Sequence, residues 1–107
     1  MKEFIIDNTV FIRGENAIEN WQMLETEDPE HFFFHLSSFP SCYVSMRCSK
    51  PTRELLIIGS NICKDGTKYK KLSNLKVDIC KFSNLHKGNK TGEVIYRSNR
   101  QIIKLMV

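Results

Sequence analysis

The stretch from His31 to Arg47, HFFFHLSSFPSCYVSMR, limits what this chain can fold into more than any other. Two alternating runs flank Ser37-Ser38-Phe39-Pro40-Ser41, whose proline cannot donate to a sheet ladder and so belongs in a turn. Alternation with period two predicts two strands, His31–Leu36 and Cys42–Arg47, paired as a hairpin. One face then carries Phe32, Phe34, Leu36, Val44 and Met46, which is a core face. The other carries His31, Phe33, His35, Tyr43, Ser45 and Arg47. One dry and one wet face is ordinary for antiparallel strands, but rings and donors are unusually dense on this wet one.

The flanking segments supply a sheet and two helices. Phe4–Ile6 and Val10–Arg13 read as strands around the turn pair Asp7-Asn8. After Gly14, Asn16 is a helix N-cap with Glu19 three residues on, and Ile18, Trp21 and Leu24 form an apolar stripe that ends before Pro29. Arg53 to Lys64 reads as a second helix, because the apolar spacing continues past Gly59 to Ile62. Leu55–Ile58 alone would also suit a buried strand. Asp65-Gly66 marks a turn, Lys68–Lys76 a basic loop, Leu75–Phe82 a strand and Ser83–Lys90 a second basic loop. Glu93–Arg97 and Gln101–Val107 are expected to close a hairpin around Ser98-Asn99. Neither a repeat nor a linker divides the 107 residues, so residues 1–107 are read as one domain.

Charge is distributed unevenly. Residues 1–43 hold two basic side chains against eight acids, and residues 44–107 hold fourteen against four. A chain so polarised favours a polyanionic partner for its second half. Arg47, Lys64, Lys68, Lys70, Lys71, Lys81, Lys87 and Lys90 are the candidates for phosphate contact, with Phe33 and Tyr43 as stacking platforms for unpaired bases beside His35. On spacing alone, Phe33 and Tyr43 suit a second small core equally well. No run approaches the ~18–20 apolar residues of a membrane span. The acidic N-terminus does not suit a secretion signal, so a cytoplasmic protein is expected. An abundance of Lys, Asn and Ile, which have A/T-rich codons, suggests an A/T-rich coding genome such as that of a large DNA virus, and then a host-cytoplasmic location.

Catalytic and cofactor signatures are missing. The chain has no Walker loop, dinucleotide fingerprint or Ser/His/Asp order. Cys42, Cys48, Cys63 and Cys80 contain no C-x-x-C pair. His31 and His35 would stand about 13 Å apart on a strand, too far to share a metal. No enzyme, metal or cofactor is expected. A thiol–imidazole pair of His35 with Cys42 or Cys48 lacks an orienting acid.

Five blocks then occur in a telling order: Gly14-Glu15-Asn16-Ala17-Ile18-Glu19-Asn20, Pro29 to His35, Ser41 to Arg47, Cys80 to Lys87, and Thr91-Gly92-Glu93-Val94-Ile95-Tyr96. Together they resemble the NFACT-R domain. The likeness is closest to the small standalone eukaryotic proteins that carry this domain before a coiled coil, a segment this chain lacks by Val107. The same domain ends the ribosome quality-control factors that recruit tRNA to stalled large subunits. Gly14, Asn20 and Asn84 match the family motif. His31 and Phe33 stand where the family has an acid and a tryptophan, Cys42 and Tyr43 where it has a small residue and a histidine, and His35 and Val44 are kept. The resemblance implies a compact α+β domain, a mostly antiparallel sheet with two helices. It also implies RNA binding, with one branch linked to DNA sensing.

The expected function is therefore a non-enzymatic nucleic-acid-binding module for tRNA or ribosomal RNA, linked to translation or ribosome quality control. Arg47, Lys64, Lys68, Lys70, Lys71, Lys81 and Lys87 would hold phosphates, and Phe33, His35 and Tyr43 would form a ring-bearing surface beside them. DNA is the alternative polyanion. The alternative function is a protein-interaction domain, with a protein or the ribosome as partner, that keeps the fold without the RNA site. A membrane is not expected as a partner.

Overall fold

A computed structural model describes residues 1–107. Eight strands and two helices follow in the order β1 (Lys2–Ile6), β2 (Thr9–Arg13), α1 (Ala17–Thr26), β3 (Phe32–Leu36), β4 (Val44–Met46), α2 (Arg53–Asp65), β5 (Lys76–Lys81), β6 (Leu85–Lys87), β7 (Val94–Tyr96) and β8 (Ile103–Met106). Six strands form one fully antiparallel sheet in the order β1-β2-β4-β3-β5-β8, and β6 pairs with β7 apart from it. This is an α+β domain. It contains no helix long and apolar enough to cross a membrane.

Local chemistry explains the elements that periodicity located. Asp7 and Asn8 both take positive φ, 50° and 62°, the pairing a two-residue type I′ hairpin requires. Asn16 caps α1 by accepting from Glu19 N at 2.9 Å. Thr52 caps α2 by accepting from Leu55 N at 3.2 Å, so Arg53–Asp65 is a helix rather than a strand. The central hairpin forms as expected, with Phe32 opposite Met46, Phe33 opposite Ser45 and Phe34 opposite Val44.

The sheet is covered on both faces. Below it, α2 packs across β2, β3 and β4, and Phe34, Leu36, Val44 and Met46 join Phe11, Ile62, Cys63, Val77 and Ile79 in the main core. Above it, α1 and the β6–β7 pair enclose a second core of Ile12, Met23, Phe33, Tyr43, Cys80, Phe82 and Leu85. The hairpin face expected to be wet is therefore largely dry.

Two further expectations are corrected. The apolar stripe of α1 is not Ile18, Trp21 and Leu24. Ile18 is 65% exposed, and the buried face is Asn20, Met23 and Glu27, with Leu24 half-buried. Asn20 and Glu27 find polar partners inside, so the inward stripe is polar at both ends. Strands β7 and β8 do not pair with each other either. Asn84 donates to Ser98 O and accepts from Ser98 N, both at 2.9 Å, which pins the chain and turns β7 onto β6. β8 continues to the far edge of the main sheet, where Leu105 sits opposite Val77. The stretch Ser83–Lys90, expected as a loop, thus contains β6.

Gly59 lies in mid-α2 directly over Phe34, and a Cβ there would come within 2.4 Å of the ring. Helix propensity alone would make Gly59→Ala stabilising by about 1 kcal/mol. Overpacking against a fully buried ring reverses the sign: urea unfolding should show a loss of about 1–3 kcal/mol.

Candidate nucleic-acid interface

The aromatic candidates are structural. Phe33 is completely buried, its ring meeting the edge of Tyr43 at 4.9 Å, Phe82 at 5.7 Å and Tyr96 at 6.3 Å. Tyr43 is 1% exposed and its hydroxyl donates to Gly92 O. Burial, with help from the Glu93 charge, holds that hydroxyl well above the usual tyrosine range. Neither ring presents a face to a base, so their assignment as stacking platforms is corrected to core. His35 is half-buried, stacked parallel to Phe33 at 6.1 Å and opposite Asp78 on β5. Burial holds its imidazole below the ordinary value, although a hydrogen bond at the Leu36 backbone and the Asp78 charge pull the other way.

The motif residues Gly14, Asn20 and Asn84 are also architectural. Gly14 N donates to Tyr43 O at 3.0 Å, and Asn20 Oδ1 accepts from Tyr43 N at 3.2 Å. A Cβ on Gly14 would stand 2.2 Å from that Asn20 oxygen, so only glycine leaves room for the bond. The pair fastens the start of α1 to Tyr43, and Asn84 performs the equivalent service for Ser98.

The basic candidates fall into two groups. Arg47 forks onto Glu27 through Nε at 3.1 Å and Nη2 at 3.0 Å, Lys81 meets Glu30 at 2.6 Å, and Lys87 pairs with Glu25 while lying 4.9 Å over the Trp21 ring. The acids of the first half thus neutralise three of the seven bases assigned to phosphate. Lys64, Lys68, Lys70 and Lys71 pair with no carboxylate. They occupy the last turn of α2 and the turn after it. That turn is well bonded: Thr67 Oγ1 donates to Lys64 O at 2.8 Å and accepts from Tyr69 N at 3.2 Å, and Leu72 N donates to Tyr69 O at 2.9 Å.

Two grooves adjoin this turn. One, of about 410 Å³, lies between the start of α1 (Gly14–Ala17), His35, Ser41-Cys42, Gly66 and Thr91-Gly92. The other, of about 420 Å³, shares His35 and Pro40 and is walled by Phe39, Asp78 and Tyr96. Phe39 is 38% exposed and packs on Tyr69 at 4.7 Å. The lysine turn therefore meets the first groove through Gly66 and the second through Tyr69 and Phe39. Phe39 and Tyr69 are exposed-side aromatics that the strand pattern did not single out. Their signal was Tyr69 set among lysines in KYKK, the interleaving of ring and charge typical of nucleic-acid surfaces.

No protein-family model matches the chain, and neither does any curated protein sequence. Among solved structures, the fold is similar to the C-terminal part of the fibronectin/fibrinogen-binding protein from Streptococcus suis. The TM-score is 0.88 at 22% sequence identity, over 98% of this chain and 43% of that one. The chain thus spans less than half of that relative's length, and at this identity the likeness is one of fold.

Glu27, away from both grooves, carries a buried charge held by Ser45 and Arg47. Burial alone would raise its carboxyl, but hydrogen bonds from Arg47 and Ser45 and the Arg47 charge outweigh it and hold it below the usual range. Replacing it with alanine removes a buried charged fork and should cost about 2–3 kcal/mol at pH 7. The pH dependence has a fixed sign. The folded state resists protonation of both His35 and Glu27, so their contributions are present at neutral pH. They are lost as pH falls, first below ~6.5 for the imidazole and then below ~4.3 for the carboxyl. Urea unfolding of wild type should weaken across both windows, and Glu27→Ala should flatten the lower one.

Proposed function

We propose that this chain is an NFACT-R-like, cytoplasmic nucleic-acid-binding module without catalytic activity. It holds the backbone of structured RNA, tRNA or ribosomal, and so serves translation or ribosome quality control. The observation that carries the reading is the partition of the basic residues. Lys64, Lys68, Lys70 and Lys71 stand together without carboxylate partners on a hydrogen-bonded turn, whereas Arg47, Lys81 and Lys87 are already paired. A fixed group of free ammonium groups attracts a polyphosphate backbone by charge and counterion release. The buried state of Phe33 and Tyr43 supports recognition by shape and charge rather than by base stacking at those rings. Duplex DNA offers the same phosphate charge in a different groove geometry and is the natural competitor.

A protein-interaction role is the second reading. It is favoured by the name of the structural neighbour, a fibronectin/fibrinogen-binding protein, and by the exposed apolar Phe39 and Leu72 beside the lysine turn. Such binding would depend little on salt, because apolar contact is not screened.

Fluorescence titration with tRNA, a ribosomal RNA fragment and duplex DNA across a salt series tests the proposal. Binding of RNA tighter than ~10 μM at low salt is expected, with log K falling against log salt at a slope of roughly −3 for about four phosphate contacts. The double change Lys70→Glu, Lys71→Glu should weaken binding at least tenfold, and Arg47→Gln much less. Absence of RNA binding at low salt, or an unchanged affinity in the Lys70/Lys71 variant, overturns it.

A further inference from the structure

Cys42 and Cys63 meet where the start of β4 approaches the last turn of α2. The Cys42 thiol donates to Cys63 O at 3.4 Å, and the Cys63 thiol donates to Cys42 O at 3.6 Å. Each sulfur therefore lies over the other residue's backbone. Their surroundings are unequal. Cys63 is fully buried, with Ser41 Oγ 3.9 Å from its sulfur. Cys42 is half-buried and lines the groove beside α1.

Arg13 completes the arrangement. Its Nη1 donates to Ile62 O at 3.0 Å, which fixes the guanidinium at the end of α2. Its Nε is buried without a hydrogen-bond acceptor, with Glu15 Oε1 at 3.5 Å its nearest carboxylate. A Cβ built on Gly66 would lie 2.9 Å from both this Nε and the Cys42 sulfur, so the two atoms are no more than twice that apart. A guanidinium nitrogen without a hydrogen-bond acceptor thus stands near the sulfur that the groove exposes. Glu15 already shares the charge of this guanidinium, and a thiolate at Cys42 would add a second anion beside it.

We propose that Cys42 and Cys63 form a reversible disulfide, in which Cys42 reacts with a peroxide and Cys63 resolves the product. The Cys42 thiolate attacks one oxygen of hydrogen peroxide. The O–O bond breaks, a sulfenic acid forms, and the departing hydroxide takes up a proton to become water. The Cys63 sulfur then attacks the sulfenyl sulfur. An S–S bond forms, the S–O bond breaks, and the hydroxyl leaves as water with the Cys63 proton. Two thiols lose two electrons and the peroxide is reduced to two waters; a dithiol reductant reverses the change.

The thiol environments agree with these roles. Cys42 is held below the usual thiol value, first by the Cys63 side chain beside it and then by Arg13, against burial and the Glu15 charge. Cys63 is pushed up by the Cys42 side chain and by burial. Burial pushes Cys80 up to about 11, which leaves it a poor nucleophile.

Trypsin separates the four cysteines into four peptides, residues 14–47, 48–53, 54–64 and 77–81. The whole chain is exposed to hydrogen peroxide, blocked and digested. One linked product is expected, 14–47 with 54–64, with loss of two of the four thiols and their return on adding dithiothreitol. In Cys63→Ser, Cys42 should instead accumulate as a sulfenic acid that dimedone labels in 14–47. In Cys42→Ser, no linked product should form. Linkage through Cys48 or Cys80, over-oxidation of Cys42 while Cys63 stays free, or four intact thiols under peroxide that oxidises free cysteine would each overturn the assignment. The wild-type peptide map alone decides between these outcomes, even if a serine variant folds poorly.

Discussion

β3 is buried on both faces except at His35, and the rest of the fold depends on that fact. Phe32, Phe34 and Leu36 need cover from below, and Phe33 needs it from above. A strand buried on both faces requires a layer on each, so the sheet is sandwiched by α2 on one side and by α1 with the β6–β7 pair on the other. Full burial of one large apolar side chain stabilises by about 1.5–3 kcal/mol, so losing either layer would forfeit a sizeable part of a small domain's margin. Most polar groups that enter the upper layer are matched, the His31 Nδ1 being an exception. Ser45 and Arg47 meet Glu27, the Tyr43 hydroxyl meets Gly92 O, and the Tyr96 hydroxyl lies 3.3 Å from Asp78.

The same layering redistributes charge. Helix α1 and the loop after it bring Glu25, Glu27 and Glu30 against Lys87, Arg47 and Lys81. The Lys81–Glu30 and Lys87–Glu25 pairs are exposed and contribute roughly 0–1 kcal/mol each, so their main effect is electrostatic subtraction. They remove basic character from the α1 side of the molecule and leave it on the turn after α2. A chain that is acidic in its first part and basic in its second thus becomes a domain whose turn after α2 carries Lys64, Lys68, Lys70 and Lys71 without carboxylate partners.

Features set by neighbours in sequence were readable before folding. The Asp7-Asn8 turn, the Asn16 N-cap, helix α2 and the hairpin's lower face each depend on spacing of a few residues. Alternation also separated Phe33 from Phe34 correctly. It could not say what would cover Phe33, because the cover comes from residues 82–96. The partner of β7 differs from expectation for a related reason: proximity in sequence favours β8, whereas the Asn84 clamp favours β6. At the candidate site, KYKK was visible as a charged cluster. The neutralisation of Lys81 and Lys87 was not, since their acids lie 51 and 62 residues away. The grooves are built from four separate segments and leave no mark on any one of them.

The clamp between Asn84 and Ser98 has a consequence for how the chain is made. Synthesis delivers residues from the N-terminus, and domains generally fold as units once enough chain has emerged. Most of the lower core can assemble when β5 is out, with only Leu105 and Val107 still to join it. The upper one cannot, because Leu85 and the β6–β7 pair that closes it come later, and β7 is turned onto β6 only when Ser98 reaches Asn84. Until then Phe33 and Tyr43 face water, and the nascent chain carries an open aromatic surface. The residues after Ser98, which add the edge strand β8 and its Leu105, thus follow the event that ends this vectorial exposure.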